Sequence, residues 1–426
     1  MALVGAAVGL ATGSARLSVI DAGAIDLAPG RTVTATGHVA AVPSRDDGEV
    51  RFELATPNGR LMVEAREPVG ELPVGRIVRA RGSIADPEPW RAGELERLGI
   101  RDVLVARSLT VTPRRRGGIA GALDGVRERA EAALERGTEP EAANLLRGFV
   151  LGQDDGIDAA TVDEWRRSGL AHLLAVSGQN VILLALLAGA VLAAVGVPLR
   201  ARLAWILVMI AVYVPVAGAG PSIQRAGVVG AVGIVAALAS RPRSRWYALL
   251  LAAAVTLALN PRVSGDVGWQ LSFAAVAGIL LWSRPLADRI GSGSPLRTGL
   301  AEGVGVTVAA TLATAPLMAH HFDTVSLVTL AANLLALPAV APVMWLGMLA
   351  GAAGQLTWLP LEPLTWVAGL LGGYIAQVAA WLATPGWAVA DVSLDAAGLA
   401  VAYLGLGVSM FLALRWSERR RALRPA

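Results

Sequence analysis

The chain has 426 residues, of which 54% are hydrophobic and only 16% are charged. This composition is too apolar for a soluble protein of that length, so it excludes ordinary soluble enzymes and indicates a membrane protein. The formal net charge is +4 and cysteine is absent, which excludes disulfides, thiolate metal sites and cysteine nucleophiles.

The first apolar stretch runs from Met1 to Thr12 and has no basic residue ahead of it. A secretory signal peptide normally carries positive charge at that place. We therefore interpret residues 1–15 as a short first membrane span.

Apolar and polar residues alternate in short runs between residues 16 and 112, which is the period of β-strands. The clearest runs are 32–36, 50–54, 61–64, 77–81 and 103–105. Glycine, proline and aspartate separate them, as in the turns of a small antiparallel barrel. The pattern predicts a five-stranded barrel of the OB type. Such barrels often bind single-stranded nucleic acid, but a barrel that serves only as a folding unit fits equally well.

The apolar period becomes helical after the last strand, between residues 114 and 147. Apolar side chains recur there between arginine and glutamate, which is typical of an amphipathic helix on a bilayer surface or against a helical bundle. The polar stretch 151–168 predicts a solvated loop and a short helix. Residues 113–168 are therefore expected to be a helical connector.

Long apolar runs of membrane-spanning length follow Gly169. They lie near 170–197, 203–217, 222–240, 246–259, 267–283, 299–319, 325–353, 363–384 and 397–415. We interpret residues 169–416 as a transmembrane bundle and 417–426 as a basic tail. The predicted fold class is a polytopic α-helical membrane protein with an N-terminal, extracytoplasmic, OB-like β-barrel.

Arginine is unevenly distributed between the loops that join these runs. Alternate loops contain Arg200, Arg202, Arg241, Arg243, Arg245, Arg284, Arg289, Arg297 and the arginines after Arg415. The intervening loops are 218–221, 260–266, 320–324 and the one that holds Asp391 and Asp395. Because cytosolic loops are enriched in arginine, the C-terminus is predicted in the cytosol of a bacterial plasma membrane and the barrel outside.

The run 325–353 is longer than one bilayer crossing and contains Asn333, Pro338 and Pro342. Proline removes a backbone donor, so the run predicts either a kinked helix or two half-helices. Carbonyls freed at a break must face protein or a watery cavity. A kink that only fits neighbouring helices is the alternative.

Four polar residues enter the first long apolar run: His172, Ser177, Gln179 and Asn180. Polar groups in hydrocarbon are costly, so they are expected to face the bundle interior or a water-filled cavity. Helix-to-helix adhesion is an equally good interpretation. A serine hydrolase is less favoured, because on a helix His172 and Ser177 would point about 140° apart.

A second group of polar residues lies near two predicted outer loops. Arg225 follows the loop 218–221 and needs a carboxylate, carbonyl groups or an anionic ligand. Asp266 is a candidate partner in an ion pair, and Gln270 and Ser272 follow it. A structural ion pair and a place on a polar path are both open.

His320 and His321 end another run, and Asn333 follows in the next. Adjacent histidines project in different directions from a helix, and no further histidine or cysteine is nearby. We therefore expect no metal site and no cofactor.

These strings, taken in order, resemble the ComEC competence family of polytopic membrane proteins. The family's His-Leu-Leu-Ala-Val-Ser-Gly signature corresponds to residues 172–178. Its Arg-Pro-Ser element with a following arginine corresponds to 220–225, where this chain has glycine in the first place. An Asn-Pro and a Gln-Leu-Ser-Phe element correspond to 260–261 and 270–273, and a series from Pro-Leu to Asn-Leu corresponds to 316–338. With the predicted barrel, the resemblance covers nearly the whole chain.

The chain departs from the family pattern in two places. Many members carry Leu-His after Ser-Gly, where this chain has Gln179 and Asn180. Many members also contain a metallo-β-lactamase-like domain, and this sequence has four histidines and no His-x-His-x-Asp-His string that could hold two metal ions. We expect a nuclease to be supplied by another polypeptide.

The resemblance implies a channel that imports single-stranded DNA in natural transformation, and no catalytic residue. His172, Ser177, Gln179, Asn180, Arg225, Asp266, Gln270, Ser272, His320, His321 and Asn333 are the candidates for the DNA path. Its expected partners are single-stranded DNA, membrane lipid, a separate DNA receptor, nuclease and cytosolic ATPase, and further copies of the chain in a homo-oligomer. The alternatives are a polytopic membrane enzyme or small-solute transporter, and a remnant that no longer supports transformation.

Overall fold

The computed structural model describes residues 12–21, 25, 27–46, 48–174, 178–238, 244–291, 294–356 and 358–422. The N-terminal half is a barrel followed by a helical connector, and the rest is a bundle of long helices. The predicted first span, residues 1–15, lies mostly outside the described residues, as does Ser177.

The strands are β1 (Thr32–Val39), β2 (Ser44–Asp46), β3 (Glu49–Thr56), β4 (Gly59–Arg66), β5 (Arg76–Ala85), β6 (Val103–Arg115), β7 (Thr324–Ser326) and β8 (Val389–Asp391). The helices of the N-terminal half are α1 (12–21), α2 (Pro89–Leu98), α3 (Gly118–Leu134), α4 (Pro140–Leu151) and α5 (Ala159–Ser168). The bundle helices are α6 (Gly178–Ala194), α7 (Leu199–Val216), α8 (Pro221–Leu238), α9 (Arg245–Leu259), α10 (Val267–Ile290), α11 (Pro295–His321), α12 (Thr329–Ala353), α13 (Glu362–Ala383) and α14 (Ala396–Ala422).

The barrel predicted from the alternating pattern is confirmed. Its strands pair in the order β1-β5-β6-β4-β3-β2, and an additional pairing of β1 with β3 closes the ring. The β4–β6 pairing is parallel and the others are antiparallel. Closure buries one side chain of each alternating pair inside the ring. This interior core is Val39, Val50, Phe52, Leu54, Val63, Leu72, Val78, Ala80, Ile84 and Leu104.

Closure of the ring depends on one close backbone approach. A Cβ added to Gly37 on β1 would lie 2.3 Å from the Ala55 carbonyl oxygen on β3. A larger residue would therefore separate β1 from β3, at the pairing that closes the barrel. The predicted strand runs all fall within β1, β3, β4, β5 and β6.

Two short helices near the barrel were not fully predicted. Residues 12–21 are helical, so the helix expected over residues 1–15 extends beyond residue 16, where strands were expected. Helix α2 lies between β5 and β6, where the sequence indicated only a turn. Pro89 begins α2 and Gly99, with φ of 72°, ends it, so local start and stop signals define this helix better than its weak apolar pattern does.

The connector consists of three helices, α3 to α5, where the periodicity predicted one long helix and a short one. The first break is at Gly137, which has a φ of 69° and lies against Glu362 at the start of α13. Leu134, Leu146 and Phe149 are fully buried in the same core as residues of the bundle helices. The connector therefore packs on the bundle, one of the two positions expected for it.

A polar joint holds the barrel against α3. Arg116 donates two hydrogen bonds to Asp124, at 2.6 and 2.7 Å, and its Nη1 donates to His38 Nε2 at 3.3 Å. Gly75, with φ of 81°, lies so close that an added Cβ would be 2.0 Å from Asp124 Oδ2. Burial and the Arg116 charge lower the pKa of His38, and the hydrogen bonds to Asp124 raise the pKa of Arg116.

Loops of the bundle contact the N-terminal half of the chain at several points. A Cβ on Gly218, between α7 and α8, would lie 3.3 Å from Arg127 Nη2 on α3. Asn260, between α9 and α10, donates to the Arg97 carbonyl at 2.9 Å. Ser326 on β7 donates to the Arg167 carbonyl at 2.7 Å, and β7 pairs with β8. The arginine-poor loops thus lie on the same side of the bundle as the barrel.

Four helices in the described residues are long and apolar enough to cross a membrane: Leu199–Val216, Arg297–His321, Thr329–Ala353 and Glu362–Ala383. Gly178–Ala194, Ser222–Leu238, Arg245–Leu259 and Ala396–Leu412 are apolar but shorter. The fold class, a polytopic helical membrane protein with a small N-terminal barrel, is confirmed. The number of crossings stays a prediction.

Two predicted boundaries in the bundle are wrong. The first run was expected to be helical from residue 170, but Ala171–Leu173 form a 3-10 turn and α6 begins at Gly178. Helix α12 is continuous through Pro338 and Pro342, so the two half-helices are not found, and residues 324–326 are a strand. Helix α14 extends through residues 417–422, so this part of the predicted tail is helical.

Candidate functional site

The polar string divides between two elements: His172 lies in the 3-10 turn Ala171–Leu173, whereas Gln179 and Asn180 lie at the start of α6. Gly169 ends α5 with a φ of 79°, and the Nδ1–H of His172 donates to the Gly169 carbonyl at 3.1 Å. The His172 side chain is exposed. Ser177 lies outside the described residues, so the geometry of a His172–Ser177 pair is not defined. The angular argument against such a pair no longer applies, because His172 is not on α6.

Asn180 joins α6 to the connector. It is fully buried, and its Nδ2 donates to the Phe149 carbonyl at 2.7 Å and to the Tyr213 hydroxyl at 3.3 Å. That hydroxyl donates to the Val150 carbonyl at 2.6 Å, so the last turn of α4 is satisfied by both side chains. In this conformation the Asn180 side chain has no exposed surface that could line a path through the bundle. Gln179 is half-buried.

Arg225 is the buried cation of the bundle core. It is 7% exposed, and its Nε is fully buried without a hydrogen-bond partner. Its guanidinium carbon lies 5.7 Å from the centre of the Phe273 ring on α10. A Cβ on Gly178, the first residue of α6, would lie 3.0 Å from Arg225 Nη2. The charge is therefore held between an aromatic ring and the start of a helix.

The proposed ion pair between Arg225 and Asp266 is wrong. Asp266 instead caps α10, where its Oδ1 accepts a hydrogen bond from the Trp269 N–H at 2.8 Å. Within the described residues no carboxylate lies within 4.0 Å of the Arg225 guanidinium. A capping aspartate uses its carboxylate locally, three residues ahead, and so is not available to a distant arginine.

Gln270 and the two histidines join neighbouring elements. The Nε2–H of His321 donates to Gln270 Oε1 at 2.8 Å, and Gln270 Nε2 donates to the Ser264 carbonyl at 2.9 Å. His320 donates from Nδ1 to the Leu394 carbonyl at 2.7 Å. The two rings thus have different partners, although their centres are 4.8 Å apart.

Ser272 and Asn333 are half-buried on α10 and α12. Asn333 lies one turn after Thr329. A Cβ added to Gly169 would lie 2.1 Å from the Oγ1 atom of Thr329. The α12 start therefore packs against the turn that carries His172. The structure groups the candidates into two places, the α6 start with Arg225 and the α10–α11 end with Gln270 and His321.

One face of the barrel carries arginines without carboxylates. We define the arginine face as seven of the exposed side chains of β1, β5 and β6: Thr34, Thr36, Arg79, Arg81, Arg107, Ser108 and Thr110. Arg79 is opposite Thr36 and Thr110, Arg81 is opposite Thr34 and Ser108, and Arg107 lies at an irregularity in the β5–β6 register. These three strands contain no aspartate, glutamate or aromatic residue.

The opposite strands neutralise their arginines. Arg51 lies 3.0 Å from Glu49, Arg60 lies 2.8 Å from Glu53, and Arg91 of α2 lies 2.7 Å from Glu64. By contrast, the arginines of the arginine face take part in no ion pair in the part of the chain that the structure describes. Three neighbouring arginines without a carboxylate partner are therefore grouped on this side of the barrel.

Three features of the site were missed by sequence reasoning. Gly178 and Phe273 contact Arg225 across long sequence distances, and no local pattern marks such contacts. The arginine face could have been found, because β1, β5 and β6 lack acidic residues in the printed sequence while β3 and β4 contain them.

Comparison with known proteins supports the resemblance. The family model described as "Competence protein" matches residues 149–417, more than half of the chain. ComE operon protein 3 of Bacillus subtilis (strain 168) is 26% identical over 200 residues, which are 47% of this chain and 25% of that protein. The uncharacterized protein YcaI of Escherichia coli (strain K12) is 26% identical over 217 residues, 49% of this chain and 29% of YcaI.

The matched segments thus span less than a third of either relative. No solved structure matches the chain. The family match contains α6 to α13 together with Arg225, Gln270 and both adjacent histidines. With the helical bundle and the family model in agreement, the chain is a member of the Competence protein family of membrane proteins.

Proposed function

We propose that this chain is a channel that imports single-stranded DNA into the cytosol during natural transformation. The observation that carries the proposal is Arg225, a buried cation with no carboxylate beside it among the described residues, in a helical bundle of the Competence family. A buried charge is costly unless it is paired, and phosphates of a passing strand would supply the missing negative charge.

The barrel is proposed to receive the strand on the arginine face. Arg79, Arg81 and Arg107 would bind phosphates, and the threonines between them would hydrogen-bond to the same backbone. Sequence-independent binding of single strands usually combines positive charge with aromatic stacking. Because β1, β5 and β6 contain no aromatic residue, binding here would rest on charge and would weaken steeply with salt.

The barrel is proposed to lie outside the cell and the C-terminus in the cytosol. Support comes from the distribution of arginine between the loops and from the contacts of Gly218, Asn260 and Ser326 with the N-terminal half. Loops that contact the barrel side are the ones poor in arginine, as this orientation requires.

The proposed role includes no bond-making step. The sequence has no P-loop motif that would bind ATP, so a cytosolic ATPase is expected to pull the strand. A separate receptor and a nuclease would supply the strand, and several copies of the chain could assemble around the path. These partners belong to the proposal.

Deletion of the gene tests the proposal. Transformation frequency and entry of labelled DNA into the cytosol are measured in the deletion strain and in the same strain carrying the wild-type gene on a plasmid. We expect loss of both in the deletion and recovery with the plasmid. Normal transformation of the deletion strain would rule out the proposed import function.

A further inference from the structure

The Arg225 guanidinium lies next to the N-terminus of a long helix. Gly178 is the first residue of α6, and the space where its Cβ would stand is 3.0 Å from Nη2 and 3.8 Å from the guanidinium carbon. A helix N-terminus carries partial positive charge, so two positive groups lie close together here. In the unliganded protein this arrangement is electrostatically unfavourable.

Arg225 itself has no anionic partner among the described residues. Arg225 is 7% exposed, its Nε has no hydrogen-bond partner, and no salt bridge to it is formed among the described residues. The Phe273 ring covers one face of the guanidinium at 5.7 Å, and it offers only a weak negative potential. A buried arginine normally requires hydrogen-bonded anionic partners.

We propose that Arg225 and the N-terminus of α6 form a binding site for one phosphodiester group of single-stranded DNA. This inference rests on the proposed function and locates one contact of the strand inside the bundle. The guanidinium would donate two hydrogen bonds to phosphate oxygens, and the α6 dipole would add to the attraction. Phe273 would keep the guanidinium plane in place.

Gly178 allows the guanidinium to approach α6 closely. A methyl group at that position would stand 3.0 Å from Nη2, so the end of the Arg225 side chain would have to shift by a few tenths of an ångström. The proposed site can therefore be disturbed in two ways, by removing the charge of Arg225 or by adding a methyl group at Gly178.

The first test measures binding of fluorescent oligo(dT) to the full chain in phosphatidylcholine nanodiscs at several salt concentrations. We expect Arg225→Met to weaken binding about tenfold, the lower end for loss of a charge-assisted hydrogen bond. We also expect the slope of log affinity against log salt to fall by about 0.7, the value for one phosphate contact on a single strand. Gly178→Ala should weaken binding in the same direction.

The control is Arg200→Met, which removes an exposed arginine near the start of α7. Affinity and salt slope for Arg225→Met that equal those of the wild type would overturn the site. The Gly178→Ala variant keeps the test decisive if Arg225→Met does not fold, because unchanged binding in that variant would equally contradict the geometry.

A second test separates a ligand site from a structural role. If Arg225 has no anionic partner in the ligand-free protein, Arg225→Met removes an unpaired buried charge. The melting temperature of the ligand-free variant should then equal or exceed that of the wild type. Oligo(dT) should raise the melting temperature of the wild type and should raise that of the variant less. A large fall in the melting temperature of ligand-free Arg225→Met would show a structural role and overturn the proposal.

Two further arms distinguish the source of the phosphate. Inorganic phosphate and nanodiscs containing phosphatidylglycerol are compared with oligo(dT) on the wild type. Competition of phosphatidylglycerol with oligo(dT) for an Arg225-dependent site, with lipid the stronger ligand, would assign the site to a headgroup and overturn the DNA assignment. Weak, competitive binding of inorganic phosphate is the expected result.

Failure of the site and failure of import give different results. If the deletion strain transforms normally, the proposed import function is wrong and the proposed site has no strand to bind. If the deletion strain fails to transform but Arg225→Met and Gly178→Ala bind oligo(dT) as the wild type does, import stands and only this phosphate site is overturned.

Discussion

The joint between barrel and connector differs from the bundle core in the partners of its arginines. At the joint the half-buried Arg116 has two hydrogen bonds to Asp124, and the exposed Arg115 pairs with Glu128. In the bundle Arg225 is more deeply buried and has a ring beside it, but no carboxylate among the described residues. Paired arginines hold elements together, whereas an arginine left unpaired in the core is better explained by a ligand.

The two sides of the barrel repeat this contrast at the surface. Arg51 and Arg60 pair with glutamates on β3 and β4, but Arg79 and Arg81 on β5 face only threonine and serine across the ladder. Four predictions test this difference between paired and unpaired groups, in order of decreasing effect.

The largest expected effect is at the joint. Asp124→Ala should lower the free energy of unfolding by about 3 kcal/mol, because it leaves the Arg116 guanidinium without its two hydrogen bonds. Thermal or denaturant unfolding in detergent measures this change. Glu128→Ala, on the same helix but at an exposed pair, should cost less than about 1 kcal/mol. Equal losses in the two variants would show that burial does not decide the contribution.

Asn180→Leu should lower the free energy of unfolding by about 2 kcal/mol, because the Phe149 carbonyl at the end of α4 loses its donor. The comparison is Asn333→Leu, since Asn333 is only half-buried and has no side-chain hydrogen bond in the described chain. We expect that variant to unfold like the wild type. The idea that Asn180 joins the helices fails if both variants are equally stable.

Charge removal on the arginine face should affect binding but not stability. Replacing Arg79 and Arg81 together with glutamine should lower oligo(dT) affinity about tenfold at low salt, with little change in melting temperature. The matched control replaces Arg51 and Arg60, which are already neutralised by glutamates. Affinity that falls equally in both double variants would contradict a one-sided binding surface.

The smallest expected effect is a pH dependence at the joint. Because the pKa of His38 is lowered from 6.5 in the folded chain, the unfolded chain binds the proton more readily. His38 therefore favours folding above pH 6.5, and this contribution declines as the pH falls from 6.5 toward the lowered pKa. Unfolding of wild type and His38→Gln is compared between pH 7.5 and 5.5. A wild-type chain that loses no more stability than the variant would contradict this assignment.

The barrel was predictable because its strands obey a local rule. Alternation of apolar and polar residues sets which side chains enter the barrel, and the predicted runs lie in β1, β3, β4, β5 and β6. Helix α2 was missed because its ten residues are rich in arginine and glutamate and lack a strong apolar face. Its boundaries depend on Pro89 and Gly99 more than on periodicity.

The bundle site was predictable in its residue types but not in its contacts. Arg225 was identified because an arginine is unusual in an apolar helix. Its proposed partner Asp266 was wrong because a capping contact three residues away competes with a distant one. Phe273 and Gly178 come together with Arg225 only through the packing of α6, α8 and α10.

The position of α3 has a mechanical consequence. This single helix holds the barrel through Asp124 and, less than one turn later, places Arg127 against Gly218 in the turn that leads into α8. A rigid rod that is fixed at two neighbouring points transmits rotation from one to the other. A tilt of the barrel that carried α3 with it would therefore press on the turn ahead of Arg225, so α3 is a mechanical link between the barrel and the core of the bundle.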